Sequence, residues 1–138
     1  MPSRNNSCVS VSGAGIYQDM GRRKIRNVVT WILSVLLALA FLLAGLPKVL
    51  GLAAWIHKFS SWGYPKSLLL LIGTLEVLGA ILLLIPRFAG YAVGSLIIVM
   101  LGAAYTHLAN GEGWAVIRPL LFLCFLVLVG WLKRPRKQ

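Results

Sequence analysis

The segment 68–86, LLLLIGTLEVLGAILLLIP, constrains the fold of this chain more than any other part of the sequence. It contains nineteen residues and one ionisable side chain, Glu76, near its middle. As a helix that rises about 1.5 Å per residue, it is just long enough to cross the hydrocarbon core of a bilayer. A carboxylate at that depth costs roughly 2.5 to 3.5 kcal/mol on insertion scales. The sequence therefore predicts a membrane helix whose Glu76 faces protein or trapped water rather than lipid.

The chain as a whole has the composition of a membrane protein. Hydrophobic residues make up 59% of its 138 residues and charged residues only 12%, whereas a soluble domain keeps about a quarter of its residues charged. The formal net charge is +11, but the basic residues cluster beside apolar segments, at 22–26 and 133–137. Such placement is typical of orientation signals and of contact with the lipid bilayer. It argues against nucleic acid as a partner.

Three further apolar segments predict an all-α, integral membrane four-helix bundle. The first of them, 28–46, is too long for the apolar part of a signal peptide and ends without a cleavage motif. The third span is expected at about 88–108. The fourth is expected at about 119–132, or from Trp114 if Arg118 lies inside the helix.

Local patterns add detail to this bundle. Bulky apolar residues recur at three- and four-residue spacing over 52–62, which predicts a short interfacial helix between helices 1 and 2. Gly90 and Gly94, four residues apart, predict close packing near the start of helix three. The side of helix two that packs against its neighbours is predicted to carry Gly73, Glu76, Gly79, Ala80 and Leu83.

These assignments divide the chain into a flexible cytoplasmic tail at 1–22, a four-helix transmembrane domain at 23–133 and a basic cytoplasmic C-terminus at 134–138. The orientation follows from Lys and Arg, which are enriched on the cytoplasmic side of a membrane. With four spans, both termini and the turn at Pro86 and Arg87 share one side, and most basic residues fall there. Both termini are therefore expected in the cytoplasm.

Polar side chains converge on the outer half of the predicted bundle and form a candidate ligand or polar cluster of Lys48, Glu76, His107 and Arg118. Glu76 is expected either to carry a proton or to pair with a cation. Lys48 is the nearest cation by depth, and Arg118 is the next. Two interpretations stay open: a proton-linked or ligand-holding site, and an ion pair that only fixes the register of the helices.

The sequence identifies no catalytic residue and no metal site. His57 and His107 lack the spacing of haem or metal ligands, so hydrogen-bonded histidines are the favoured interpretation. Phosphate-binding glycine loops, a nucleophile elbow, the HExxH pattern and a CxxC pair are all missing from the sequence. The chain is not expected to be an enzyme on its own, and its catalytic residues stay unknown.

Three segments together resemble the DoxX family of small four-helix bacterial membrane proteins: LLAGLPKVLG at 42–51, IGTLEVLGAILLLIPR at 72–87 and MLGAAYTHLANGE at 100–112. The likeness covers about 25–132. It implies an integral protein of the bacterial inner (plasma) membrane, and some members of that family are membrane subunits of thiosulfate–quinone oxidoreductases or associate with redox enzymes. The positions that match the family pattern are Lys48, Glu76 and His107. The resemblance supplies no catalytic residue set.

Three functions are consistent with these observations. The first is a membrane subunit or anchor of a quinone-linked redox assembly, with a membrane or peripheral protein as partner and quinone as the cofactor class. The alternative is a non-catalytic scaffold or assembly partner for another membrane protein. A small-solute transporter is disfavoured, because four spans with one buried carboxylate leave little room for a pathway unless the protein forms a homo-oligomer. The oligomeric state stays open.

Overall fold

The computed structural model describes residues 13–133, and the chain is helical over nearly all of this range. The helices are α1 Gly13–Val49, α2 Ala53–Ser61, α3 Lys66–Leu84, α4 Ala89–Ala109, a single 3₁₀ turn Gly113–Val116, and α5 Ile117–Lys133. Four segments are long and apolar enough to cross a membrane: Met20–Val49, Lys66–Leu84, Ala89–Ala109 and Gly113–Lys133. The predicted all-α four-helix bundle, with a short helix between the first two spans, is confirmed.

The ends of α1 differ from the sequence prediction. The helix begins at Gly13, so the described part of the predicted tail is helical. The physical reason is that extending an existing helix costs little, and 13–27 contains no proline. The rest of that tail, 1–12, and the predicted basic C-terminus at 134–138 lie outside the described residues. At its other end α1 includes Pro47 in its last turn and stops before Gly51, whose φ of 62° is the left-handed conformation common after a helix.

The core lies where α1, α3, α4 and α5 face one another. Helix α1 packs most extensively on α3, and α4 packs on both α3 and α5. The rings of Phe41 and Phe122 meet with centroids 5.0 Å apart and join α1 to α5. All five residues predicted for the inner side of helix two are buried, which confirms that prediction. Many large apolar side chains point outward instead, as expected for surfaces that contact lipid.

Glycines decide how closely the helices approach. A Cβ atom added to Gly79 would lie 2.7 Å from the side chain of Leu96, so α3 and α4 touch there without room for a methyl group. Gly90 and Gly94 behave differently, since no atom lies within 4 Å of a Cβ built on either. The predicted close packing at these two glycines is therefore wrong for contacts within the described chain.

At the bundle end opposite α2, the side chain of Lys133 joins α5 to α3. Lys133, the last residue of α5, donates a hydrogen bond of 2.8 Å from Nζ to the carbonyl oxygen of Leu83. Carbonyl groups in the last turn of a helix have no partner within the helix. The contact satisfies one of them and ties the end of α5 to the end of α3.

Candidate functional site

The buried ion pair of Lys48 and Glu76 lies near the end of the bundle that carries α2. Lys48 belongs to the last turn of α1, and its Nζ donates hydrogen bonds of 2.6 and 2.7 Å to the two carboxylate oxygens of Glu76. Glu76 is 1% exposed and Lys48 is 8% exposed. A carboxylate in hydrocarbon needs such a partner, so the pair explains how the acid lies within a membrane helix.

Two glycines bring these charged residues together. A Cβ atom on Gly45 would lie 3.0 Å from the Cβ of Glu76, and one on Gly73 would lie 2.8 Å from the Cβ of Lys48. Each glycine therefore lies directly against the stem of the charged residue on the opposite helix. Small residues allow such close approach of helices in a membrane, and here the approach sets the Lys48–Glu76 register.

A pocket of about 330 Å³ opens beside the ion pair. Its walls combine aromatic rings of α2 with side chains of α3 and of the second half of α4, and both Lys48 and Glu76 line it. The Lys48 ammonium lies 5.1 Å from the ring centroid of Trp55, close enough for a cation–π interaction. We call this cavity the α2 pocket; its lining also includes Trp55, Phe59, Trp62, Gly102, Tyr105 and His107.

A second polar group, partly exposed, joins α2 to the end of α4 at the rim of the α2 pocket. A hydrogen bond of 2.9 Å links Nδ1 of His107 to Oε2 of Glu112, and Nζ of Lys58 lies 3.2 Å from the same oxygen. The ring of Trp62 meets the His107 ring edge-on, 5.2 Å between centroids. The hydrogen bond from His107 holds the pKa of Glu112 below its ordinary value, and the Lys58 ammonium acts in the same direction.

Comparison with known families decides what kind of protein carries this site. The model of the DoxX-like family matches residues 32–129, which include the whole ion pair and every lining residue of the α2 pocket. The chain belongs to the DoxX-like family. No curated protein and no solved structure gives a significant match to it. The family and the four apolar helices together make this DoxX-like protein a multi-pass integral membrane protein.

Three of the four residues predicted for the polar cluster lie at the α2 pocket of this DoxX-like protein. Lys48, Glu76 and His107 all line it. Arg118 does not: it is exposed and lines a separate groove between α1 and α5. The sequence suggested Arg118 as a reserve partner for Glu76, whereas both carboxylate oxygens of Glu76 accept from Lys48.

His107 was expected to be hydrogen-bonded, but its partners in the rim group were not predicted, although one signal for its contact with Glu112 is present in the sequence. Gly111 adopts a φ of 73° just after α4 and turns the chain back, which brings Glu112 beside His107. A glycine after a helix often marks such a reversal. The contact of Lys58 with Glu112 depends on how α2 folds over the bundle, and no local pattern encodes that.

The α2 pocket has the size and the lining of a small-molecule binding site. Among residues 13–133 no group of three His, Cys, Asp or Glu side chains is placed to hold a metal ion. The walls offer flat aromatic faces, one buried ion pair and one histidine. Pockets of about 300 to 1,000 Å³ with apolar walls and a few polar groups are typical of small-molecule sites. His57 takes no part, because it is exposed on α2.

Proposed function

We propose that this DoxX-like protein is a membrane subunit or anchor of a redox assembly, and that its α2 pocket binds the headgroup of a quinone. The observation that carries the proposal is an aromatic pocket whose wall contains the buried Lys48–Glu76 pair. A quinone headgroup is flat and apolar on its faces and carries two carbonyl oxygens on its edge. The aromatic walls of the α2 pocket match the apolar faces of the headgroup, and its polar side chains match the oxygens on the edge.

The polar groups of the α2 pocket retain the capacity to bind such a ligand. An ammonium group has three N–H donors, and Lys48 directs two of them to Glu76, which leaves one for a carbonyl oxygen. Because the carboxylate of Glu112 can only accept, the ring N–H on Nδ1 of His107 is the donor in their hydrogen bond. In the neutral ring, Nε2 of His107 is then free to accept from a quinol hydroxyl.

The position of the α2 pocket also supports a ligand that arrives from the bilayer. Gly102 and Tyr105 line it on α4, and both are exposed on the outer surface of the bundle. Within a membrane that surface faces lipid. A quinone can therefore place its headgroup beside Trp55 and Trp62 while its apolar tail stays between the lipid chains.

We further propose that the protein lies in the bacterial inner membrane with both termini in the cytoplasm. This proposal is supported by the charge distribution. The start of α1 carries Arg22, Arg23, Lys24 and Arg26, and the same end holds Arg87 and Lys133. The α2 end carries fewer cations outside the core, since Lys48 is buried. Reporter fusions after Arg87 should be active only as cytoplasmic reporters, and fusions near Ser61 only as periplasmic ones.

Quinone binding can be tested by filling the α2 pocket. Gly102 and Gly94 lie on the same helix, and neither has an atom within 4 Å of an added Cβ, but only Gly102 lines the pocket. Titration with decylubiquinone should quench tryptophan fluorescence saturably in wild type and in the matched control Gly94→Phe. Gly102→Phe should weaken binding about tenfold or more, because its ring occupies the space of the headgroup. Equal affinity of all three proteins would exclude this pocket as the quinone site.

Membership of a redox assembly needs a separate experiment. Purification of the tagged protein from its native membrane in mild detergent should recover a partner together with a flavin, a haem or quinone. Recovery of a partner without any redox group would instead favour the scaffold or assembly function.

A further inference from the structure

A second concave surface lies on the side of the bundle away from the α2 pocket, between α1 and α5. We call it the α1/α5 groove; it has a volume of about 370 Å³, and its walls include Leu33, Leu37 and Ala40 of α1 and Phe122 and Phe125 of α5. Helix α1 contacts α5 much less than it contacts α3. The small side chain of Ala40 leaves the groove open between its larger neighbours.

The groove contains one charged residue, Arg118. Arg118 is the second residue of α5, at the α2 end of that helix. The sixteen residues from Arg118 to Lys133 span about 22 Å along the helix axis, so the backbone of Arg118 lies several Å inside a hydrocarbon core about 30 Å thick. The long side chain of an arginine can extend from this depth to the membrane boundary. From there the apolar walls lead toward Phe125, deeper in the bundle.

Neither glutamate of the described residues is paired with Arg118. Only three residues of the 138 are acidic. Glu76 is paired with Lys48, and Glu112 contacts Lys58 and His107. The third, Asp19, lies near the start of α1, at the opposite end of the bundle from Arg118. A second copy in the same membrane orientation would hold its own Asp19 at the far end of the bundle from this groove and its glutamates in the contacts given above. A lipid phosphate, in contrast, would bring a negative charge to Arg118.

We propose that the α1/α5 groove is a phospholipid site, in which one acyl chain lies along the apolar walls and the lipid phosphate is bound by Arg118. The guanidinium group presents five donors in a planar arrangement that matches phosphate oxygens. From its depth in the bundle, the long side chain of Arg118 can extend to the membrane boundary, where lipid phosphates begin. This site is independent of the quinone proposal, because it shares no lining residue with the α2 pocket.

The experiment is native mass spectrometry of the detergent-purified protein titrated with phosphatidylglycerol. Wild type should retain one lipid at detergent concentrations that remove the others. Arg118→Gln should weaken retention about tenfold, through loss of the charge-assisted hydrogen bonds. Ala40→Phe should also weaken it by filling the groove, with Ala40→Leu as a smaller filling. Lys66→Gln, which removes an exposed cation at the start of α3, is the matched control and should retain the lipid as wild type does.

Four outcomes would overturn the proposal. One is equal retention by Arg118→Gln and Lys66→Gln, which would mean that Arg118 does not bind the phosphate. Another is equal retention of diacylglycerol and phosphatidylglycerol with the same acyl chains, which would exclude a headgroup site. The third is a wild-type dimer that Ala40→Phe converts to monomer, which would assign the groove to a second copy. The fourth is displacement of the lipid by inorganic phosphate alone. Phosphate has no acyl chain to occupy the groove, so the lipid is expected to stay bound. Gly102→Phe should leave lipid retention unchanged whatever its effect on quinone.

Discussion

Two ion pairs at the α2 end of the bundle use the same chemistry in different surroundings. In the Lys48–Glu76 pair the side chains are 11% and 1% exposed, whereas in the Lys58–Glu112 pair they are 37% and 34% exposed. Both pairs join a lysine to a glutamate across two elements. They differ in how much water reaches them, and this difference determines what each pair can do.

The buried pair has a structural consequence that the exposed pair lacks. When one partner of a buried pair is removed, the other is left as a charge without compensation in a low-dielectric interior. Water and salt screen an exposed pair, so its loss changes little. We therefore expect Lys48–Glu76 to determine whether α1 and α3 stay in register. The Lys58–Glu112–His107 group should instead influence how firmly α2 covers the pocket.

The largest effect is expected from Glu76→Gln. The substitution leaves Lys48 charged and buried, and breaking a buried pair in this way typically costs about 3 to 5 kcal/mol. The measurement is the free energy of unfolding in mixed detergent. Lys48→Met combined with Glu76→Leu removes both charges and should cost less than the sum of the single changes. If the losses of stability from the two single changes add up in the double variant, or if Glu76→Gln is as stable as wild type, the buried pair does not contribute to stability in the way that distinguishes it from the exposed pair.

A smaller effect is expected when the packing beneath the buried pair is changed while its charges remain. In Gly73→Ala the new methyl group would lie 2.8 Å from the Cβ of Lys48 and 2.9 Å from the backbone nitrogen of Val49. Overpacking of this kind costs about 1 to 3 kcal/mol. The control is Gly94→Ala, which meets no atom within 4 Å and should be neutral or stabilising. If both variants unfold alike, close contact of α1 and α3 does not set the position of the pair.

The smallest effect should come from the exposed group, and it should depend on pH. The folded protein holds the pKa of Glu112 below its ordinary value of 4.5, so the ionised carboxylate stabilises the folded state. This contribution is complete above pH 4.5 and is lost as the pH falls through the lowered pKa. Wild type should therefore melt slightly higher than Glu112→Gln at pH 7, and the difference should vanish in more acidic buffer. If the difference in melting temperature instead grows as the pH falls, the pKa of Glu112 is not lowered in the folded protein.

Much of the fold could be predicted from sequence because each membrane helix has a local signal, a long run of apolar residues. The four spans and the short helix between the first two follow from runs of apolar residues and their spacing, and the buried side of α3 follows from the small residues around Glu76. The ends of the helices follow less directly from such runs. The fourth span was predicted to begin at about Pro119, or at Trp114 if Arg118 lies inside the helix. Helix α5 begins at Ile117 and contains Arg118, and together with the preceding 3₁₀ turn the span begins at Gly113, close to the second alternative.

The candidate site could be predicted only where the depth of a residue in the membrane determines which residues it contacts. Lys48 was expected near Glu76 because both lie at a similar depth in neighbouring spans, and the ion pair of these two residues has that arrangement. Depth alone also made Arg118 a candidate, but depth says nothing about which side of the bundle a residue faces. The rotation of α5 places Arg118 in the α1/α5 groove. That rotation depends on packing with α4 and α1, which a single sequence does not specify.

Photochemical labelling tests the assignment of the α2 pocket most directly. An azido-quinone, activated by light in the membrane-reconstituted protein, should label peptides from α2 and from 99–107. Excess unlabelled quinone and Gly102→Phe should each remove the label, while Gly94→Phe should leave it in place. Label found in the α1/α5 groove, or label in the pocket peptides that Gly102→Phe does not reduce, would contradict the assignment of the α2 pocket as the quinone site.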